Sequence, residues 1–309
     1  MPSPRRVVLK VDVDTYRGTL EGIPRLLDLF ARERIRATFF FSLGPDETGK
    51  AIRRIFKKGF LKKVLKSNPA ASYGLRTMLY GTLLPAPDIG ASPPAIARMR
   101  EVRAAGHECG IHAWNHVDWH DRLVRMNRPE VESIVALCRS RFLEVFGEQA
   151  RLSAAPGWTA TPLSVEVQEA SGIRVTSDTR GGTPFYPRRT DGAPAAVLEI
   201  PSTLPTLDEL LAWDEFSGSD RERQKTVPFL RDAVKAAEAL SVHSVHTEIE
   251  GGRALHGLFA SQIQAWKEIG VVCVPLGEAA VEAGKEAPVR SLGWNFLPGR
   301  ATPVATQIQ

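Results

Sequence analysis

At 309 residues, with 43% hydrophobic and 24% charged residues, the chain has the make-up of a folded protein with a large core. That excludes a disordered chain. The formal net charge of +5 is moderate; it hints at an anionic partner, though the distribution of charge matters more than its sum. Three cysteines, Cys109, Cys138 and Cys273, lie far apart without a CxxC pair, so they read as buried thiols in a reducing compartment rather than a disulfide framework. The opening MPSPRR runs straight into VVLKVDVD, without the apolar stretch of a signal peptide. No segment approaches the roughly 18–20 apolar residues of a spanning helix. These features predict a cytoplasmic protein.

Strand and helix patterns then alternate along the chain. Val7 to Asp12 reads as a buried strand, Leu20 to Arg34 as an amphipathic helix, and Ala37 to Phe41 as a second strand. Gly44 to Ser92 is far longer than an ordinary connection and reads as functional or as a subdomain. Beyond it come a helix from Pro94 to Ala105, a strand from His107 to His112 and a helix from Pro129 to Phe146. The alternation continues through strands near residues 152, 175, 197, 242 and 271, with a long helix expected from Arg221 to Leu240. About eight strands separated by helices predict a parallel sheet closed as a (β/α) barrel. One catalytic domain, 1–282, includes the 44–92 insertion. The tail, 283–309, is rich in Pro, Gly, Thr and Gln and is expected to be irregular.

The most informative segment is His112-Ala-Trp-Asn-His116. Histidines at i and i+4 can converge on one ion, and His112 ends an apolar strand, where α/β barrels carry their catalytic residues. Val11-Asp12-Val13-Asp14 ends another. Two carboxylates there are costly unless a cation offsets them. The structural alternative has Asp14 capping the next helix and Asp12 pairing with an arginine. Together with the histidines, Asp14 makes a two-His-one-carboxylate face with open positions, a catalytic layout that suits Zn, Mn, Co or Fe. Asp12 is then placed for a general base. His246 ends a late apolar strand, SVHSVH, and suits a proton donor to a leaving amine. His120 is a weaker ligand candidate, and His107 and His243 read as structural.

Between Lys50 and Lys66 lie eight basic residues and no acidic ones, interleaved with Ile52, Ile55, Phe56, Phe60, Leu61, Val64 and Leu65. The run predicts a basic amphipathic helix, followed by an apolar stretch from Tyr73 to Leu84. Such a segment either packs on the barrel with a solvated face or lies in the headgroup layer of an anionic bilayer. Nucleic acid is not expected, because no recognised module accompanies the run and aromatics for base stacking are few. No obligate protein partner is indicated.

In this order the pieces resemble the polysaccharide deacetylase superfamily, or NodB-homology fold. More closely, seven runs (VDVDTYRGTLEGIPRLL, FFFSLGPD, GIHAWNHVDWH, SAAPGWTAT, SDTRGGTPF, IPSTLPTLDE and VHTEIEG) are similar to the bacterial deformylases acting on 4-deoxy-4-formamido-L-arabinose-phosphoundecaprenol. The resemblance implies a distorted (β/α) barrel, Asp14, His112 and His116 as ligands of a divalent metal (Zn, Mn or Co), Asp12 as base and His246 as acid. It implies Trp158, Asp178, Arg180, Glu248 and Glu250 as substrate-binding residues. The substrate would be a lipid-linked aminosugar at the inner face of the cytoplasmic membrane, and the products formate and the 4-amino lipid used to modify lipid A and resist cationic peptides such as polymyxin. An N-deacetylase or cyclic-amide hydrolase of the same superfamily is the alternative. Two departures stand out. The superfamily's adjacent Asp-Asp is split by Val13, and its arginine–proline motif lacks the arginine at Ala154-Ala155-Pro156-Gly157-Trp158. Arg180 is the expected substitute, orienting a carboxylate or holding a substrate phosphate.

Overall fold

The computed structural model describes residues 5–51, 74–237 and 240–308. The expected basic helix, from residue 52 on, lies outside them, as does Tyr73 at the start of the apolar stretch. The chain runs through β1 (Arg6–Val13), a π-turn (Gly18–Gly22), α1 (Ile23–Glu33), β2 (Thr38–Ser42), α2 (Pro93–Ala104), β3 (Glu108–Ala113), α3 (His116–Arg122) and α4 (Arg128–Phe146). Then come β4 (Leu152–Ser153), α5 (Pro162–Ala170), β5 (Val175–Thr176), β6 (Tyr186–Pro187), β7 (Leu198–Glu199), α6 (Leu207–Leu211), α7 (Asp220–Gln224) and α8 (Thr226–Ala236). The last elements are β8 (Ser241–His246), α9 (His256–Glu268), β9 (Val272–Val274), α10 (Leu276–Ala283), β10 (Val289–Asn295) and β11 (Val304–Ile308).

The main sheet is parallel, in the order β7-β5-β4-β3-β2-β1-β8, with β9 also paired to β1. It is curled but not closed. Among the described residues no ladder joins β7 to β8; instead Thr203 and Leu204, beyond β7, each donate a backbone N–H to Val242 O at 3.1 Å. The strands at that side are only two residues long, too short to zip a seam. The expected closed barrel is therefore an open half-barrel.

Period-2 alternation sorts β1 into two faces. Val7, Leu9, Val11 and Val13 enter the main apolar core with Leu26, Phe30, Phe39 and Phe41. Val8, Lys10 and Asp12 point into the hollow of the curl. The pairing of Lys10 with Ser244 and Asp12 with His246 puts the polar residues of β8 in the same hollow, while His243 and Val245 face outward. His243 meets the edge of Trp266 there, as expected of a structural histidine. On the other side Lys10 pairs with Thr38 and Asp12 with Phe40, and Phe40 pairs with Gly110. A Cβ on Gly110 would lie 2.6 Å from the Phe40 ring, so only glycine lets that ring fill the floor.

Two further expectations change. The long helix after Arg221 is two helices, because Pro228 has no N–H to donate and fits only a first turn. The tail is not irregular. β10 and β11 form an antiparallel hairpin that joins β6 in a second, three-stranded sheet. Its Pro- and Gly-rich residues, Leu297–Arg300, occupy the hairpin loop rather than the strands.

Candidate metal and catalytic site

The site lies where the strands end. Asp14 follows β1, His112 is in β3, and His116 opens α3, which is capped by Asn115 accepting the Asp118 N–H at 3.0 Å. The i, i+4 pair is thus split between a strand and a helix start. His112 Nε2 lies 3.1 Å from Asp14 Oδ1, and His116 Nε2 lies 3.6 Å from Asp14 Oδ2. One ligand atom from each of the three falls within 4.8 Å of the others, close enough to converge on one ion. Asp14 Oδ1 and His112 Nδ1 are buried without a hydrogen bond. Burial alone would raise the Asp14 carboxyl, but His116 and His112 outweigh it and hold the group far below the carboxylate range. Burial pushes His116 down to about 3, leaving a neutral imidazole at pH 7. An anionic carboxylate, two imidazoles and buried atoms without partners are a donor set that fits a divalent cation. His120 does not join this group among the described residues. His107 is structural: its Nδ1 accepts the Ala37 N–H, and burial lowers it to about 4.

Asp12 lies beside the trio, with Oδ1 3.9 Å from His112 Nδ1. Its Oδ2 is held 3.0 Å from Lys10 Nζ, an ion pair sealed from solvent, while Oδ1 has no hydrogen bond. Asp12 therefore pairs with a cation, as the structural alternative required, but with a lysine of its own strand.

His246 closes the opposite side. Its backbone N–H donates to Glu250 Oε2 at 2.8 Å, and its ring Nδ1 lies 3.7 Å from Asp208 Oδ1. Burial opposes a charge on the ring, yet Asp208, Asp14, Glu250 and Asp12 together raise it to about 9. At neutral pH the imidazole is cationic. Asp208 was missed by the sequence reading. The Thr206-to-Glu209 capping box that seats it on α6 is legible in TLDE, but it signals only a helix start.

The expected substrate-binding residues divide. Arg180 is engaged within the protein: Nη1 donates to both oxygens of Glu209 at 2.8 Å, Nε to Ser202 O at 3.1 Å and Nη2 to Leu204 O at 3.0 Å. It does orient a carboxylate, but that of Glu209 rather than the base. Trp158, at a positive φ of 51°, donates its indole N–H to Ser202 Oγ at 2.9 Å and presents its ring to Lys10 and Arg180. A non-glycine residue in that conformation is strained and persists only where its surroundings hold it. Asp178 is buried with both oxygens unpartnered, raised to about 7 by burial and the neighbouring Glu199. Glu248 accepts the Thr15 N–H and hydroxyl at 2.9 and 2.5 Å, and burial with the Asp14 charge raises it to about 8. It braces the loop of Asp14, as Glu250 braces His246.

The polysaccharide deacetylase family model matches residues 2–176. The chain belongs to that family. It is 36% identical over 275 residues to a probable 4-deoxy-4-formamido-L-arabinose-phosphoundecaprenol deformylase ArnD of Shewanella sediminis, covering 88% of this chain and 85% of the relative. A protein of the same description from Wigglesworthia glossinidia brevipalpis is 27% identical, covering 94% and 98%. The crystal structure of a probable polysaccharide deacetylase from Pseudomonas aeruginosa PAO1 shares the fold, with a TM-score of 0.62, 17% identity and 92% of each chain covered.

Proposed function

We propose that this chain removes the N-formyl group from 4-deoxy-4-formamido-L-arabinose-phosphoundecaprenol, with Asp14, His112 and His116 holding a divalent ion such as Zn, Mn or Co. The observation that carries this reading is the pair on neighbouring strands: Asp12, with one oxygen free of hydrogen bonds, and His246, in register with it beside the trio. The relatives' description supplies the substrate. When bound, a divalent ion makes water more acidic and polarises a carbonyl. Asp12 Oδ1 accepts a proton from the attacking water, and Lys10 keeps Oδ2 turned away from it. His246 gives its proton to the sugar nitrogen as the C–N bond breaks. Water and the formamide thus become formate and the free amine. Asp208 and Glu250 position His246, Glu248 positions the Asp14 loop through Thr15, and Trp158, Arg180 and Asp178 wall the sugar side.

No described helix is long and apolar enough to cross a membrane. A lipid-linked substrate calls for peripheral docking at the inner face. The basic run from Lys50 supports it, and Leu75 and Leu83, just beyond the undescribed stretch, are exposed. Sedimentation with anionic vesicles at low salt tests the docking; protein left in the supernatant overturns it. The chemistry is tested by incubating the purified protein with the lipid-linked formamido sugar and its acetamido analogue. Release of formate from the first, with little acetate from the second, is expected, and the reverse preference overturns the reading.

A further inference from the structure

The C-terminal hairpin delivers one more side chain to the rim of the site. Its loop turns at Gly299, with φ of 85°, where a Cβ would lie 2.6 Å from Glu209 O. Glycine therefore lets the loop press against α6. The next residue, Arg300, lays its guanidinium over the Trp158 ring, 4.8 Å from the centroid, and Arg180 lies 4.7 Å from the same ring.

The two cations on this indole differ in what neutralises them. Arg180 takes both oxygens of Glu209 and two backbone carbonyls. Arg300 is left with Nε at 3.8 Å from Glu209 Oε1, and its guanidinium makes no hydrogen bond among the described residues. Arg180 holds both oxygens of the one carboxylate the two guanidinium groups share, so Arg300 keeps its donors uncommitted. Arg300 is also not sealed in: its side chain keeps 17% of its surface exposed, against 9% for Arg180.

Its place in the site follows from two neighbours. A Cβ on Gly157 would lie 3.5 Å from Arg300 Nη2 and 3.0 Å from His120 Nε2, one turn after the ligand His116. On the other side Arg300 adds to the positive field at Asp208, the carboxylate beside His246. The guanidinium thus stands between the histidine helix and the acid.

We propose that Arg300 is an anion subsite that takes the phosphodiester oxygens of the lipid-linked sugar, so that the C-terminal hairpin completes the substrate pocket. A guanidinium with unspent donors in a half-buried setting recruits an oxyanion, and phosphate matches its fork. This rests on the deformylase reading, under which the substrate carries one anionic group. The product formate is the other anion the subsite could hold, and the experiment separates them.

Arg300→Gln and Arg300→Lys are compared with the parent protein on a short-chain phosphodiester of the formamido sugar and on its neutral methyl glycoside. Removing one charge-assisted contact raises KM for the phosphodiester about tenfold or more in Arg300→Gln. The rise in KM is confined to the phosphodiester, any change in kcat is shared by both sugars, and Arg300→Lys recovers part of the KM loss. Calorimetric titration with inorganic phosphate, which needs no turnover, shows the same loss of affinity, while titration with formate is unchanged. An equal loss on both sugars, unchanged phosphate affinity, or a loss confined to formate overturns the proposal. If the parent protein releases no formate from either sugar, the deformylase reading fails, and the phosphate titration still decides Arg300.

Discussion

Lys10 Nζ and Asp12 Oδ2 stand 3.0 Å apart inside the half-barrel, on one face of a single strand, with side-chain exposures of 0% and 4%. The i, i+2 spacing of β1 alone brings them to the same side, and Trp158 covers the ammonium at 5.2 Å. The pair compensates a buried carboxylate and commits one of its oxygens, leaving the other to the reaction. Lys10→Met removes the cation while keeping the volume. Breaking a buried pair from one side costs about 3–5 kcal/mol of stability, read from urea unfolding. In the folded fraction kcat falls by about 100-fold, with KM and metal content retained; a variant with normal kcat shows that Lys10 does not position the base.

The trio predicts a coupled loss. Asp14→Ala, His112→Ala and His116→Ala each lower metal affinity by more than the roughly 10–100-fold typical of an outer partner. Metal content by elemental analysis and formate release fall together. An active variant free of metal rules out the assignment.

The pH dependence follows from His246, whose folded value near 9 exceeds the ordinary 6.5. A raised value means that the folded state binds the proton more tightly. The stabilisation is complete below about 6.5 and is lost as the pH climbs through about 9. The melting temperature of the metal-free protein therefore declines between pH 7 and 9.5. Asp208→Asn removes the largest of the carboxylate contributions, moves that decline to lower pH and brings down the alkaline limb of kcat with it. A limb unmoved by Asp208→Asn shows that His246 is not the group being read.

Gly110 offers a test of the fold alone. A Cβ there would sit 2.6 Å from the Phe40 ring and 2.8 Å from Leu152 O, so Gly110→Ala overpacks the floor of the half-barrel. The expected loss is about 1–3 kcal/mol in urea unfolding; a stability equal to the parent's shows that Phe40 swings aside.

What the sequence determined by itself was everything with a short period or a fixed spacing. The short apolar runs in VVLKVDV and SVHSVH located the strands, and their ends pointed to Asp12, Asp14, His112 and His246. His116 followed from its distance to His112. A local pattern carries such information because a strand's side chains alternate regardless of what surrounds it. Other features came from contacts across the chain, which no local pattern reports. Whether the sheet closes depends on a seam between segments some forty residues apart, Thr203 and Val242. Arg180 looked free to serve the base until Glu209, 29 residues on, was seen to hold it. Lys10 lay in plain view within VVLKVDVD, yet only burial distinguished it from a surface lysine. Arg300 lay in a tail whose composition suggested irregular structure, and it reached the site because β10 and β11 found a partner in β6. Strand pairing at long range is decided by what the folded body leaves unpaired, and that exists only once the chain has folded.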